Sequence, residues 1–124
     1  MKPFFVLIVL LSIFTACNRR SSTGISVKVK NNSNAEIRGL RITTSEQLAA
    51  INTRSLKENE DLEGFLNMND NRTDGSYVIS FTRKNGKTER FSRGYYTNGG
   101  SLETNMQVEI KADTTLVSFS GTNY

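Results

Sequence analysis

The sequence predicts an all-β fold, an immunoglobulin-like β-sandwich of about seven strands. Several segments alternate apolar and polar residues with a period of two, which is typical of half-buried strands. Turn signals rich in Asn, Asp and Gly separate these segments at intervals of about 8–12 residues. With a single Cys and no Trp, the chain lacks the signature of a true immunoglobulin domain, so the prediction concerns architecture only.

The first strands are predicted within residues 25–43. Every second residue of 25–30 is apolar, and the polar cluster at 31–34 favours a turn. The alternation resumes over 36–42 but slips by one position at Gly39. A β-bulge at this glycine would keep the apolar residues on both sides of it facing the core. The segment is therefore interpreted as a hairpin with a bulge.

Residues 44–70 allow more than one interpretation. Thr44–Gln47 has the spacing of a capping box, which favours a helical turn, but a strand running through to Leu56 fits equally. The acidic residues 58–63 form a linker or a short helix. A further strand is predicted at 65–68, and a turn-rich segment follows it.

The second half of the chain has clearer signals. Asn85–Gly86 is typical of a two-residue type I′ hairpin turn. Another loop is predicted at 97–100, and 112–114 form a turn between the last two strands. The four strands predicted around these turns cover residues 77–81, 88–95, 106–111 and 116–119.

The N-terminus has the layout of a secretory signal. A basic start is followed by the apolar run Phe4–Ala16 and an abrupt polar segment, and the run is too short for a membrane span. Phe14–Cys17 resembles the lipobox of bacterial lipoproteins, in which the cysteine receives lipid. This resemblance implies a cleaved signal over 1–16, a lipidated tether over 17–24 and a β-sandwich over 25–124.

Two alternatives to lipidation of Cys17 remain. An ordinary signal peptide could be cut after Ala16 and leave a free thiol, or the cysteine could be buried in the core. Lipidation implies a bacterial source and a membrane as partner. Because Asn18 is not the Asp that retains lipoproteins in the inner membrane, the outer membrane is expected. No acidic run follows Cys17, which favours the periplasmic face.

Composition limits the function classes. The 124 residues less 16 for the signal leave 108, enough for one domain with a modest core. Losing Lys2 from 16 basic side chains leaves 15 against 12 acidic ones. No run of five or more like charges is present, so nucleic acid is not an expected partner.

The sequence favours a non-enzymatic protein without catalytic residues, metal or cofactor. The absence of histidine excludes Ser-His-Asp and Cys-His arrangements. A hydrolase using the carboxylates of 58–63 or 70–74 is the remaining enzymatic alternative. The oxygen-rich segment 67–74 resembles a calcium loop in its residue types, but lacks the order of an EF-hand and fits an ordinary turn.

The segment Gly94–Gly100 is the candidate binding loop. Tyr beside Asn and Gly is the composition of adaptable binding surfaces. Consecutive tyrosines on a strand point to opposite faces, so one is expected in the core and one in solvent. Tyr95, Tyr96, Asn98 and Gly99 are the candidate residues. The alternative is a hairpin end with a core tyrosine.

Asp113–Thr115 resembles the O-glycosylation sequence of exported Bacteroidota proteins and makes Thr114 a candidate site. Together with the lipobox and the motifs at 27–33, 74–77 and 94–99, it makes the chain similar to small lipoproteins of that phylum. This resemblance implies no activity. The leading hypothesis is a lipid-anchored module that binds an envelope protein or polymer. The alternative is a periplasmic immunity or inhibitor lipoprotein. The oligomeric state is left open.

Overall fold

A computed structural model describes residues 23–123, which form an all-β domain. The predicted signal, Cys17 and most of the tether lie outside the described residues. No helix that could cross a membrane occurs in residues 23–123. The strands of this segment are β1 (Gly24–Asn32), β2 (Ile37–Thr44), β3 (Ala50–Leu56), β4 (Asp61–Asn67), β5 (Gly75–Thr82), β6 (Thr88–Thr97), β7 (Gly100–Ser101), β8 (Asn105–Lys111) and β9 (Thr115–Ser120).

The strands form a two-layered β-sandwich, as the sequence predicts. One sheet has the order β4-β1-β8-β9, and the other has the order β3-β2-β5-β6-β7. All pairs are antiparallel except β1 and β8, which run parallel. The nine strands of residues 23–123 exceed the expected seven, partly because β7 has only two residues.

The core lies between the two sheets and follows the period-two patterns. In β1 the buried residues Ile25, Val27 and Val29 alternate with exposed polar residues. β8 buries every second side chain in the same way. Side chains from both sheets fill the interior, the largest being Tyr77, Tyr96 and Phe81. The alternation therefore predicts these strands and their inner faces correctly.

The expected hairpin over residues 25–43 is wrong, because β1 and β2 belong to different sheets. The turn at 33–36 carries the chain from one layer to the other. Asn34 adopts a left-handed conformation there, with φ of 65°. Both strands have one buried face, and a local pattern cannot distinguish a hairpin from a connection between layers.

The predicted bulge at Gly39 is confirmed. Arg38 pairs with Thr82 and Arg41 with Ser80, so two residues of β2 face only one residue of β5. Gly39 has a φ of 58°, a left-handed conformation that glycine adopts without strain. The bulge leaves the apolar residues on both sides of it buried.

Of the helical turn and the strand that the sequence allows after Thr44, the structure contains the strand. Thr44–Gln47 forms a turn in which the Gln47 amide donates to the Thr44 carbonyl, and the φ of 56° at Gln47 excludes a helical turn. β3 follows and ends at Leu56, as the strand alternative predicts. The linker or short helix expected at 58–63 is wrong: residues 58–60 belong to a turn and 61–63 begin β4. β4 covers residues 65–67 of the strand expected at 65–68.

The turn at Asn85–Gly86 differs from the prediction. Arg83 pairs with Lys87 through its backbone amide, and the Gly86 amide donates to the Arg83 carbonyl, which makes a three-residue loop. Gly86 has a positive φ but Asn85 does not, as expected for a type I turn followed by a bulge glycine. The type I′ geometry occurs instead at Asn98–Gly99, where both residues have positive φ.

The two ends of the sandwich are distinct groups of loops. The proximal end, where β1 begins, contains Thr23 and the loops at 45–49, 68–74 and 98–104. The distal end contains the loops at 33–36, 57–60, 83–87 and 112–114. Thr23 is fixed to the proximal end, because its amide and hydroxyl donate to Asn69 Oδ1 at 2.8 and 2.6 Å.

The buried side chain of Asn31 joins the two sheets at the distal end. Its Nδ2 donates to the carbonyls of Ala35 at 2.8 Å and Leu56 at 2.9 Å. Its Oδ1 accepts hydrogen bonds from the amide and hydroxyl of Ser33. Asn31 lies in β1 and Leu56 in β3, so one amide group connects both layers.

We expect Asn31→Ala to lower the free energy of unfolding by about 3 kcal/mol, because it leaves buried carbonyls without donors. Asn32→Ala is the matched control. Asn32 is half-buried and its side chain donates only to Glu109, at 3.2 Å, so its loss should be below about 1 kcal/mol. Urea denaturation measures both, and equal losses would contradict the assigned role of Asn31.

Candidate functional site

The candidate binding loop lies at the proximal end, where β6 ends and turns into β7. Tyr96 is completely buried, whereas Tyr95 is 50% exposed, as expected for consecutive residues of a strand. Asn98 is exposed and Gly99 is buried. Only two of the four candidate residues, Tyr95 and Asn98, therefore present a side chain to solvent.

A bulge in β6 positions the two tyrosines. Gly75 pairs with Tyr96 and Tyr77 with Arg93, so Gly94 and Tyr95 face a single residue of β5. Gly94 has a φ of 70°, and a Cβ there would meet the Phe119 ring. The glycine thus lets the aromatic side chain of β9 approach β6 closely.

The buried tyrosines belong to an aromatic cluster in the core. The Tyr77 ring lies 5.7 Å from that of Tyr96 and 5.6 Å from that of Phe119, in tilted arrangements. The Tyr77 hydroxyl donates to Ser101 Oγ at 2.8 Å. Burial raises the pKa of Tyr77, so this phenol stays protonated at neutral pH. Tyr96 is therefore part of the packed core.

The type I′ turn at Asn98–Gly99 is packed against the loop at 68–74. The Gly99 amide donates to the Thr73 carbonyl at 2.7 Å. A Cβ on Gly99 would lie 2.1 Å from the Asn71 carbonyl oxygen, so no larger residue fits without a backbone shift. The glycine is required by this close approach as well as by its φ of 76°.

Asp74 holds the exposed part of the candidate loop. Its Oδ1 accepts a hydrogen bond from the Asn98 amide at 2.8 Å, and its Oδ2 accepts one from the Tyr95 hydroxyl at 3.1 Å. The bond to Asp74 is the main reason that the pKa of Tyr95 is raised. The exposed hydroxyl of the loop is thus already engaged within the protein.

Glu46 connects three loops through one carboxylate. Its Oε1 accepts the amides of Arg72 at 2.9 Å and Thr73 at 3.2 Å, and its Oε2 accepts the Tyr96 hydroxyl at 2.8 Å. These donors favour the charged form, so the pKa of Glu46 is lowered, chiefly by the Arg72 amide. The sequence does not predict this role, because the Thr44–Gln47 pattern favours a helical turn and a strand fits equally.

The oxygen donors of the suspected calcium loop are used in local hydrogen bonds. Asn69 Oδ1 accepts from Thr23, Asn67 Oδ1 accepts the Asn69 amide, and Asp74 binds the candidate loop. No group of three or more His, Cys, Asp or Glu within residues 23–123 could hold a metal ion. These oxygens stabilise the turn in the way that Asn and Asp side chains usually do.

The two acidic segments lie at opposite ends of the sandwich. Glu58 and Glu60 are in the distal β3–β4 turn, whereas Asp70 and Asp74 are in the proximal β4–β5 loop. The seven residues of β4 separate them, a distance of about 20 Å at 3.3 Å per residue. The two segments therefore do not face each other across a cleft.

Thr114 lies in the distal turn between β8 and β9. It is exposed, and its carbonyl accepts the Lys111 amide at 2.8 Å. The position is open to solvent and far from the proximal end. Its glycosylation stays a prediction.

The outer faces of the two sheets differ in charge. On the four-stranded sheet, Lys28 Nζ lies 3.9 Å from Asp61 and 3.7 Å from Glu63. On the five-stranded sheet, Arg41 pairs with Ser80 and Ser80 with Arg90, which places two arginines in one outward row. We call the second surface the arginine face; it consists of Arg38, Arg41, Ser80, Thr82, Thr88, Arg90 and Ser92.

The sequence does not predict the arginine face, because Arg90 is far from Arg38 and Arg41 along the chain. Strands β2, β3 and β5 contain no acidic residue, which was a visible signal. Glu89, the acidic residue of β6, is opposite the buried Phe81 and pairs with Arg83 at 3.0 Å. Only the register between strands brings the positive charges onto one surface.

Comparisons with known proteins support the fold alone. No family model and no curated protein match this sequence. Among solved structures, the chain is similar to the NMR structure of a protein from Eubacterium rectale, with a TM-score of 0.52 and 11% identity. The match covers 82% of this chain and 92% of that chain. The arrangement of the strands thus recurs in a protein with little sequence in common.

We expect Glu46→Gln to weaken the acid dependence of stability. Because the folded-state pKa of Glu46 is below its ordinary value of 4.5, the carboxylate stabilises the fold above that pH. This contribution is lost as the pH falls through the folded-state pKa. Denaturation midpoints measured from about pH 6 to pH 3 should fall less steeply in the variant than in the wild type.

Glu58→Gln is the control for this titration. Glu58 is exposed in the distal turn, away from the loops that Glu46 joins. This variant should retain the acid dependence of the wild type. If both variants gave the same flattened curve, the three-loop role of Glu46 would be refuted.

Proposed function

We propose that this protein is a lipid-anchored lipoprotein of the bacterial outer membrane, whose β-sandwich is a non-enzymatic binding module facing the periplasm. The observation that carries the proposal is Cys17, the only cysteine of the chain, at the end of the apolar run Phe4–Ala16. Attached acyl chains supply stable anchoring, since each buried methylene contributes about 0.8 kcal/mol.

The start of the domain supports this arrangement. Thr23 is the first residue of the described segment, and it is already fixed by two hydrogen bonds to Asn69 and by the Met68 amide, which donates to its carbonyl. Five residues, 18–22, lie between Cys17 and Thr23, which makes six residue-to-residue steps. They span at most about 20 Å when fully extended, so the anchor holds the proximal end near the membrane.

Because the tether is short, it limits which surfaces of the domain a large partner can reach. The proximal loops, including the candidate residues Tyr95 and Asn98, would face the lipid headgroups. The outer faces of both sheets and the distal end, with Thr114, would remain open to the periplasm. We therefore place the binding role on a sheet face rather than on the tyrosine loop.

We expect Cys17→Ser to abolish lipid attachment. Cells labelled with radioactive palmitate should show label in the wild-type protein and none in the variant, which should also leave the membrane fraction. Ser21→Ala, a change in the tether that keeps the cysteine, should preserve both properties. A Cys17→Ser protein that kept the label would contradict the proposal.

The expected orientation can be measured with single labels. A fluorophore at Asp70→Cys, on the proximal end, should be quenched strongly by a quencher carried on lipid headgroups. The same fluorophore at Lys84→Cys, in the distal loop, should be quenched weakly, because the ten residues of β6 separate the ends by about 30 Å. Both sites are exposed. Stronger quenching at position 84 would exclude this orientation.

A further inference from the structure

The arginine face places its charges in fixed positions. Arg41 and Arg90 flank Ser80 in one row across β2, β5 and β6. Neighbouring strands are about 4.8 Å apart, so the two arginine backbones are separated by about 10 Å. Arg38 lies in the next row, where it pairs with Thr82, which in turn pairs with Thr88. The spacing is set by the backbone ladder and not by flexible loops.

These arginines are available to bind anions. Within residues 23–123, none of Arg38, Arg41 and Arg90 forms an ion pair. Arg41 makes one long hydrogen bond, to Asn52 Oδ1 at 3.3 Å. A guanidinium group stays charged and binds a carboxylate through two parallel hydrogen bonds. Glu36 lines a pocket together with Arg38 and Thr82, but within residues 23–123 it forms no ion pair with Arg38. Three unpaired guanidinium groups create a positive field that selects an acidic partner.

The face lacks the features of a protein interface. Protein partners usually depend on aromatic or aliphatic anchors that enter pockets. The apolar residue of these rows, Val78, is only 7% exposed. Among the exposed large apolar residues of the described chain, Leu48, Phe65 and Leu116 lie outside β2, β5 and β6. Tyr95 lies further along β6, and its hydroxyl is already bonded to Asp74. Ser80 lies between Arg41 and Arg90, and Thr82 and Thr88, whose hydroxyls bond to each other at 3.1 Å, follow Arg38 in the next row. These hydroxyl groups suit the hydroxyls of a sugar.

The positive surface continues around the edge of β6. Arg90 also borders a groove of about 400 Å³ whose lining includes Arg93 and Lys87. Arg93 lies over the ring of Phe91, 4.7 Å from its centre. Glu89 and Asp113 also line this groove. Glu89 is already paired with Arg83 and Lys87. The groove extends the path open to a long ligand beyond the flat face.

We infer that the arginine face binds an acidic polysaccharide, a carboxylate-bearing glycan chain that lies across β2, β5 and β6. Its carboxylates would pair with Arg41 and Arg90, and its hydroxyls would bond to the serine and threonine side chains between them. This inference deepens the proposed binding role by naming its surface and ligand class. The inference rests on the proposed function in one respect: the lipid anchor must leave the arginine face open to the periplasm.

Polygalacturonate is a suitable probe for the full-length protein purified in detergent. Calorimetric titration should show binding that weakens as salt is raised, because salt screens the charges. The double variant Arg41→Gln/Arg90→Gln should bind about tenfold more weakly, since two exposed charged contacts are lost. The double variant Lys28→Gln/Lys30→Gln removes the same charge from the other sheet and should bind like the wild type.

Three results would overturn the inference: no binding by a folded wild-type protein, an equal loss in both double variants, or binding of uncharged dextran as tight as that of polygalacturonate. A fluorophore at Ser92→Cys tests an anionic membrane as the ligand instead. Lipid would be the ligand if headgroup quenching were stronger at Ser92→Cys than at Asp70→Cys and fell when Arg41→Gln/Arg90→Gln was introduced. Palmitate labelling of the arginine variants should be unchanged, so failure of this inference is distinguishable from failure of the anchor.

Discussion

The position of β1 is the constraint on which the rest of the molecule depends. It lies inside its sheet, with β4 on one side and β8 on the other. The parallel pairing with β8 joins the first strand to one near the end of the chain, so the strands between them must fold into place around it. Its buried side chains Ile25, Val27 and Val29 contribute to the core, each by about 1.5–3 kcal/mol. Because β1 begins one residue after Thr23, the same strand fixes where the tether enters.

The proximal loops illustrate how a tightly bonded cluster can resemble a binding site in sequence. Tyr, Asn and Gly are frequent in binding loops, and the same residues build tight turns. Here Gly99 approaches the Asn71 carbonyl too closely for any side chain, and Glu46 and Asp74 use their oxygens on loop amides and tyrosine hydroxyls. A partner that displaced these bonds would leave backbone donors without acceptors, which costs free energy.

The sequence predicted what depends on local periodicity. The alternation in β1 and β8 gave the strands and their buried faces, and the slip at Gly39 gave the bulge. The hairpin over 25–43 failed because the choice between pairing with a neighbour and crossing to the other layer depends on contacts with distant strands. The type I′ turn predicted at Asn85–Gly86 occurs instead at Asn98–Gly99, since an Asn-Gly pair fits both a type I′ turn and a bulge glycine.

The arginine face follows from the same periodicity but could not be derived without the register. Arg41 and Arg90 are far apart along the chain, and they share one row only because both pair with Ser80 of β5. A shift of one residue in either pairing would turn one arginine toward the core, where an unpaired charge is strongly unfavourable. The adjacent residue on each strand, Ile42, Ile79 or Phe91, packs on the inner side of the sheet. This packing sets the register and therefore the positions of the outward arginines as well. The packing that stabilises the sandwich is thus also what sets the spacing of its positive groups.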